Sequence, residues 1–236
     1  MPATLYTDLN MRVVAHRGFA SKYLENTITA LDEAVKVGAE MVEFDVQLTK
    51  DGVPIMIHDD NFKRTTGLDL SVFEINKKDL QNHVALKSVS SVEEVMVWLQ
   101  ANPKVTAFVE IKQQSILFHG LEKCMKALKE VCELAIAQCV LISFNPFAVE
   151  AAIKTGFRQT GWVVISYDVA GEKIARNINP NYLFADTEIL PEGKGKLWEG
   201  QWDWVIYEVV SKEVARKLHP RGVNIIETKE VEQMLS

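Results

Sequence analysis

Short apolar runs alternate along the chain with longer segments whose apolar positions recur every three or four residues. The short runs predict strands near residues 11–15 (MRVVA), 41–46 (MVEFDV), 53–57 (VPIMI), 104–111 (KVTAFVEI), 139–144 (CVLISF), 161–166 (GWVVIS), 182–186 (YLFAD), 203–209 (DWVIYEV) and 223–226 (VNII). Between them, NTITALDEAVKVG puts Ile28, Leu31, Ala34 and Val35 at helical spacing, with Asn26 or Thr27 as cap and Gly38 at the end. SVEEVMVWLQANP repeats the pattern behind Ser91 and stops before Pro103, and GLEKCMKALKEVCELA and SKEVARKLHPRG extend the set.

Strands that alternate with helices form a parallel sheet with crossover connections, because each helix must return the chain to the sheet's starting edge. Nine candidate strands compete for the eight places of a barrel, so one is accessory, and periodicity alone does not say which. Residues 59–103 are a long connection with one strong helical pattern, at 91–101, and read as an insertion of the kind that forms lids or binding loops. No repeat, low-complexity tract or linker divides residues 1–236, which read as a single domain.

Composition narrows the function classes. At 236 residues, 47% hydrophobic and 25% charged, the chain is an ordinary globular protein, and its net charge of -6 opposes a nucleic-acid footprint. The N-terminal MPATLYTDLN is without the basic-then-apolar pattern of a secretory signal, and no run reaches the ~20 apolar residues of a membrane span. The expectation is a cytoplasmic protein without stable membrane insertion, whose sequence leaves the oligomeric state open. Cys124, Cys132 and Cys139 form no CxxC pair and read as small buried hydrophobes.

Polar clusters at strand ends change this picture. AHRG holds His16 and Arg17, VEFDVQL holds Glu43 and Asp45, MIHDD holds His58 and Asp59, and FVEIK holds Glu110 and Lys112. In a parallel barrel the C-terminal strand ends meet at one mouth, so the four clusters converge. Residues two apart on a strand share a face, which pairs Glu43 with Asp45 and Glu110 with Lys112. Adjacent carboxylates repel unless a cation lies between them, and oxygen donors suit a hard cation, Mg²⁺ or Ca²⁺. Alternatively, Glu110 and Lys112 are simply an ion pair. His16 and His58 follow apolar strands, where an imidazole can move protons. His83, His119 and His219 lie in loop or helix-end contexts and are assigned no role.

VVAHRG, then ENT and a helix, then VEFDVQLTKDGVPIMIHDD and RTTG, and much later VEIK and SF, together resemble the glycerophosphodiester phosphodiesterase family, densely over residues 11–67 and again over 91–144. The resemblance implies a (β/α)8 TIM barrel with an inserted segment after the third strand. It implies hydrolysis of glycerophosphodiesters to an alcohol and glycerol 3-phosphate with one divalent cation, by attack of the neighbouring glycerol hydroxyl through a cyclic phosphate. By position, Glu43, Asp45 and Glu110 match metal-binding carboxylates, His16 and His58 the general acid and base, and Arg17 and Lys112 phosphate contacts. The C-terminal part departs from the pattern: YEVV (residues 207–210) stands where the family often has WTVN, and GVNIIET where it has GVDGIITD. Tyr207 then replaces a tryptophan as an aromatic wall for the glycerol moiety, and Leu24 stands where a proline commonly precedes ENT.

PEGKGKLWEGQWDW reads as a mobile surface loop and not a phosphate-binding loop. Its Trp198, Trp202 and Trp204 are candidates for binding an apolar tail or a membrane surface, or for packing over the barrel end. Two alternatives follow: a lysophospholipid phosphodiesterase, and a non-catalytic phosphoester-binding barrel.

Overall fold

The computed structural model describes residues 11–236, so the N-terminal MPATLYTDLN lies outside the described residues. The strands are β1 (Arg12–Ala15), β2 (Met41–Leu48), β3 (Pro54–Met56), β4 (Thr106–Ile111), β5 (Cys139–Ser143), β6 (Gln159–Val163), β7 (Tyr182–Asp186), β8 (Asp203–Tyr207) and β9 (Val223–Thr228). Eight of them pair in parallel in the order β1-β9-β8-β7-β6-β5-β4-β2, and β1 pairs with β2 to close the barrel. The accessory strand is β3, which turns back antiparallel onto β2, with Gln47 opposite Ile55. A turn through Thr49–Gly52 is too short for a crossover, so this strand can only be a hairpin partner. The inserted segment therefore follows the third strand in chain order but lies between the second and third barrel staves.

Side chains alternate along each stave, and the inner face carries a repeated motif. An apolar residue low in the barrel is followed two positions later by one nearer the mouth: Val14 then His16, Met41 then Glu43 and Asp45, Phe108 then Glu110 and Lys112, Ile142 then Phe144, Val205 then Tyr207, Ile225 then Glu227. The lower layer is dry and aromatic. Phe108 meets Tyr182 and Phe184 edge-on, with ring centroids 5.1 and 5.2 Å apart. Each buried ring contributes about 1.5–3 kcal/mol, and together the rings fill the barrel interior beneath its C-terminal mouth. The intervening residues, such as Phe44, Val109 and Ile111, face the surrounding helices.

The insertion has its own small core of Ile55, Ile57, Phe62, Val72, Ile75, Leu80 and Leu86. The helix Val92–Ala101, capped by a reciprocal Ser91–Glu94 box, instead packs Val95, Met96 and Leu99 into the barrel shell. Cys124, Cys132 and Cys139 are buried and free. The tryptophan-rich loop lies at the surface and is tied down at several points. Arg221 donates to the carbonyls of Pro191 (2.8 Å) and Gly195 (3.1 Å), and Trp202 and Trp204 are buried in the shell core. Trp198 stacks on Tyr167 at 4.2 Å, so the tryptophans pack over the barrel end.

One glycine sets the geometry beneath the mouth. Gly18 has φ +78°, and a Cβ there would lie 2.6 Å from the Ala30 carbonyl carbon, in the helix Ile28–Lys36. Gly18→Ala is expected to cost roughly 2–4 kcal/mol, lowering Tm by roughly 5–15 °C in calorimetry. An unchanged Tm would mean that this helix start can slide away from β1.

Candidate active site

The turn after β1 is held in unusual backbone conformations, Arg17 at φ +57° and Asn26 at φ +54°. Side chains secure both. The Arg17 N–H donates to Glu43 Oε2 at 2.9 Å, and Asn26 exchanges two hydrogen bonds with Asp45, donating at 2.8 Å to Oδ2 and accepting the Asp45 N–H at 2.9 Å. The carboxylates thus shape the loop that carries His16 and Arg17.

Glu43, Asp45 and Glu110 converge, offering one ligand atom each, all within 4.8 Å of one another. They are buried beside two cations. Arg17 Nε lies 3.1 Å from Asp45, and Lys112 Nζ lies 3.2 Å from Asp45 and 2.7 Å from Glu110. The ion pair and the carboxylate cluster therefore coexist. A pocket of about 190 Å³ opens here, lined among others by His16, Arg17, Glu43, His58, Glu110, Lys112, Phe144, Tyr207, Glu208 and Glu227. All eight residues singled out in the sequence are at this site; Asp45 lies just beneath the pocket wall.

Sequence reading missed several contributors. Glu227, 3% exposed, is a fourth acid facing the cavity. Extending the 223–226 strand by two residues exposes it, because Glu227 shares the inward face of Ile225. Arg64 in the insertion bridges Asp59 (2.6 Å) and Glu25 (2.7 Å), and these in turn hold His58 (2.6 Å) and Arg17 (3.0 Å). Glu208, at φ +56°, lies 3.6 Å from His16 Nδ1.

The buried charge does not balance. Glu43, Asp45, Glu110 and Glu227 face only Arg17 and Lys112 among buried cations, leaving an excess of two negative charges if all ionise. Glu43 Oε1 and Glu227 Oε1 are buried without a hydrogen-bond partner. Burial, then the Asp45 and Glu227 charges, push the Glu43 carboxyl well above the usual range. Burial and Glu110 do the same to Glu227, and burial raises Glu110 to about 7 against the pull of Lys112. Burial also acts on Asp45, but Lys112 and Arg17 outweigh it and hold the group at about 2. An oxygen-only donor set two charges short of neutrality fits one divalent hard cation.

This imbalance has a pH signature. Between an unfolded carboxyl value of 4.5 and about 7, folded Glu110 keeps a proton that the unfolded chain has released. The cation-free protein therefore loses that stability as pH rises through this window. A cation binds the ionised form, so the Tm gain from Mg²⁺ or Ca²⁺ is expected to be larger at about pH 8 than at about pH 5.5. At a hundredfold excess over Kd the gain is about 2.7 kcal/mol, or roughly 5–10 °C. Measuring each pH with and without cation cancels the opposite trend of His16, which burial and Arg17 lower to about 3. An equal gain at both pH values would place the cation elsewhere.

Comparison with known proteins decides the family. Residues 16–166 match the model of the glycerophosphoryl diester phosphodiesterase family. The chain belongs to that family. A glycerophosphodiester phosphodiesterase of Caldanaerobacter subterraneus is 29% identical to it, aligned over 95% of this chain and 96% of the relative. A human lysophospholipase D is 38% identical over 33% of this chain and 24% of its own. Among solved structures, a phosphodiesterase of Oleispira antarctica, in complex with the product sn-glycerol-3-phosphate, superposes with TM-score 0.79 at 20% identity, covering 97% and 96% of the two chains. The matched residues include His16, Arg17, Glu43, Asp45, His58, Glu110 and Lys112. Tyr207, Glu208 and Glu227 lie beyond it, on the part of the chain that departs from the family pattern.

Among the described residues, no helix is long and apolar enough to cross a membrane.

Proposed function

We propose that the chain is a cation-dependent glycerophosphodiesterase, releasing glycerol 3-phosphate and an alcohol by acid-base catalysis from His16 and His58. The observation that carries this reading is that the two imidazoles line the same small pocket as the convergent Glu43 and Glu110, with Asp45 directly behind. Glu43, Asp45 and Glu110 would hold the cation, which when bound neutralises phosphate charge and acidifies a ligated hydroxyl. The remaining work falls to the protein's own groups. Arg17 and Lys112 set two positive charges against the phosphodiester anion, and Tyr207 walls the pocket beside His16, with ring centroids 6.4 Å apart. His16, which burial and the Arg17 charge hold neutral, offers its lone pair to the proton of the attacking glycerol hydroxyl. His58 donates to the leaving alkoxide, with Asp59 at 2.6 Å from Nδ1 offsetting part of the cost of burying its imidazolium, and water then opens the cyclic phosphate to glycerol 3-phosphate with the two imidazoles exchanging roles. Three buried, free cysteines suit a reducing compartment such as the cytoplasm.

The test is release of glycerol 3-phosphate from glycerophosphocholine or glycerophosphoethanolamine with Mg²⁺, with Ca²⁺ and with EDTA. Turnover abolished by EDTA and restored by one cation is the expected result. Cation binding with no turnover on soluble diesters or lysolipids would leave a phosphoester-binding barrel.

One observation favours a lysophospholipid substrate as the second reading. The tryptophan loop no longer supports it, but exposed apolar residues gather in the segments that follow stave C-termini: Leu117 and Phe118 after β4, Phe147 after β5, Ile165 and Val169 after β6, and Val210 after β8. Segments that follow stave C-termini belong to the mouth side of a parallel barrel, the side on which an acyl chain would leave the pocket. Faster turnover of micellar lysolipid than of the deacylated diester would select this reading.

A further inference from the structure

Both site histidines present one ring nitrogen to the pocket region and the other to a carboxylate, but the carboxylates differ. Behind His58, Asp59 accepts at 2.6 Å from Nδ1. Behind His16, Nδ1 is buried without a hydrogen-bond partner, and the nearest carboxylate oxygen is Glu208 Oε1 at 3.6 Å. The opposite nitrogen, Nε2, lies 3.9 Å from Glu43 Oε2. The ring is thus set between a carboxylate of the convergent cluster and one at the rim.

The backbone at Glu208 is the second observation. It has φ +56°, a left-handed conformation that costs a residue with a Cβ roughly 1–2 kcal/mol and glycine almost nothing. Its neighbours fix it there: Tyr207 is in register with Asp186 at the end of β8, and the Val209 N–H donates to the Glu227 carbonyl at 3.3 Å. A turn serving only to redirect the chain would be better served by glycine or asparagine, so the glutamate side chain is kept in spite of its backbone. That side chain is 41% exposed, and its Oε1 is shared with Lys229 Nζ at 3.2 Å. A small rotation of this rim side chain, with Oε1 still shared with Lys229, closes the remaining few tenths of an ångström onto His16.

We propose that Glu208 is the positioning residue of His16: its carboxylate accepts the Nδ1–H, fixing the tautomer that leaves Nε2 as the bare nitrogen on the Glu43 side of the pocket. A carboxylate has only acceptor capacity, so an Nδ1–H facing it is favoured over a lone pair. No covalent step is involved; the proton that His16 receives goes to Nε2. Glu208 then does for His16 what Asp59 does for His58, from a stave that lies outside the family match. The inference rests on the role of His16 proposed above.

Three variants and one spectrum test it. Glu208→Gly removes the carboxylate and the strain together, Glu208→Gln keeps the shape without the charge, and Glu208→Asp keeps the charge. The Gly and Gln variants are expected to lose kcat by at least about tenfold, short of the ~10⁴-fold cost of an orienting aspartate in a hydrolase triad. KM should stay within about threefold, and Tm of the Gly variant should equal or exceed that of the parent. Asp should recover part of kcat. Independently of turnover, ¹⁵N correlation spectra of the imidazoles should show His16, assigned by its loss in His16→Gln, as the Nδ1–H tautomer, shifting toward Nε2–H in Glu208→Gln. Parental kcat in Glu208→Gly, or an Nε2–H ring in the parent, would overturn the proposal. A parent without turnover would sink the hydrolase reading, and the tautomer would still decide this one.

Discussion

Glu43→Gln is expected to lower cation-supported turnover by roughly 10³-fold while leaving the cation-free protein at least as stable as the parent. The two effects have one cause. Glu43 is buried against Asp45, Glu110 and Glu227, and its Oε1 has no partner, so its charge is unfavourable until a cation arrives. The amide is nearly isosteric, and its oxygen can keep the hydrogen bond from the Arg17 N–H that shapes the loop. What is lost is one of three anionic donors, and removing about 4 kcal/mol of transition-state charge stabilisation corresponds to about 10³ in rate. Cation titrations followed by Tm, beside steady-state assays, separate the two consequences. Parental turnover in Glu43→Gln, or a cation-free Tm several degrees below the parent, would remove Glu43 from the cation site or from the repulsive cluster respectively.

Removing either imidazole is expected to have the second large effect, roughly 10²- to 10⁴-fold in kcat/KM for His16→Ala and for His58→Ala. The leaving group separates their roles. A diester of an acidic phenol departs as phenolate and needs no proton, so His58→Ala should lose far less with that substrate than with a choline or ethanolamine diester. His16→Ala should lose similar amounts with both, because the attacking hydroxyl needs a base whatever departs. The reverse pattern would exchange the roles. His58 has the geometry of a donor, since Asp59 lies 2.6 Å from Nδ1 and is itself held by Arg64 from the insertion. His16 is the more enclosed ring, with burial and Arg17 disfavouring its charged form.

The alternation of strands and helices and the pairing of Glu43 with Asp45 and of Glu110 with Lys112 on one face were legible in the sequence, because each follows from a period of two or of 3.6 along the chain, whereas the meeting of the four polar clusters followed only once a barrel was expected. The accessory strand was not legible: VPIMI is as apolar as any stave, and only the short turn at Thr49–Gly52 makes it a hairpin. The tryptophan loop was ambiguous for a related reason. Indole is equally suited to a lipid surface and to a core, and Arg221 and the packing around Tyr167 decided for the core.

The sequence by itself determined the parallel strand-helix alternation and which histidine, carboxylate and cationic side chains lie together at strand ends, since side-chain alternation is a local property, and its resemblance to the family implied the barrel that gathers them. The tertiary structure alone decided which acids lie unpaired, which carboxylate stands behind each imidazole, and that Glu227 and Glu208 join the site from the far end of the chain. Those facts depend on barrel closure, which brings β9 against β1 across more than two hundred residues of chain. They also depend on desolvation at the closed mouth, a property of the assembled barrel that no stretch of residues carries alone.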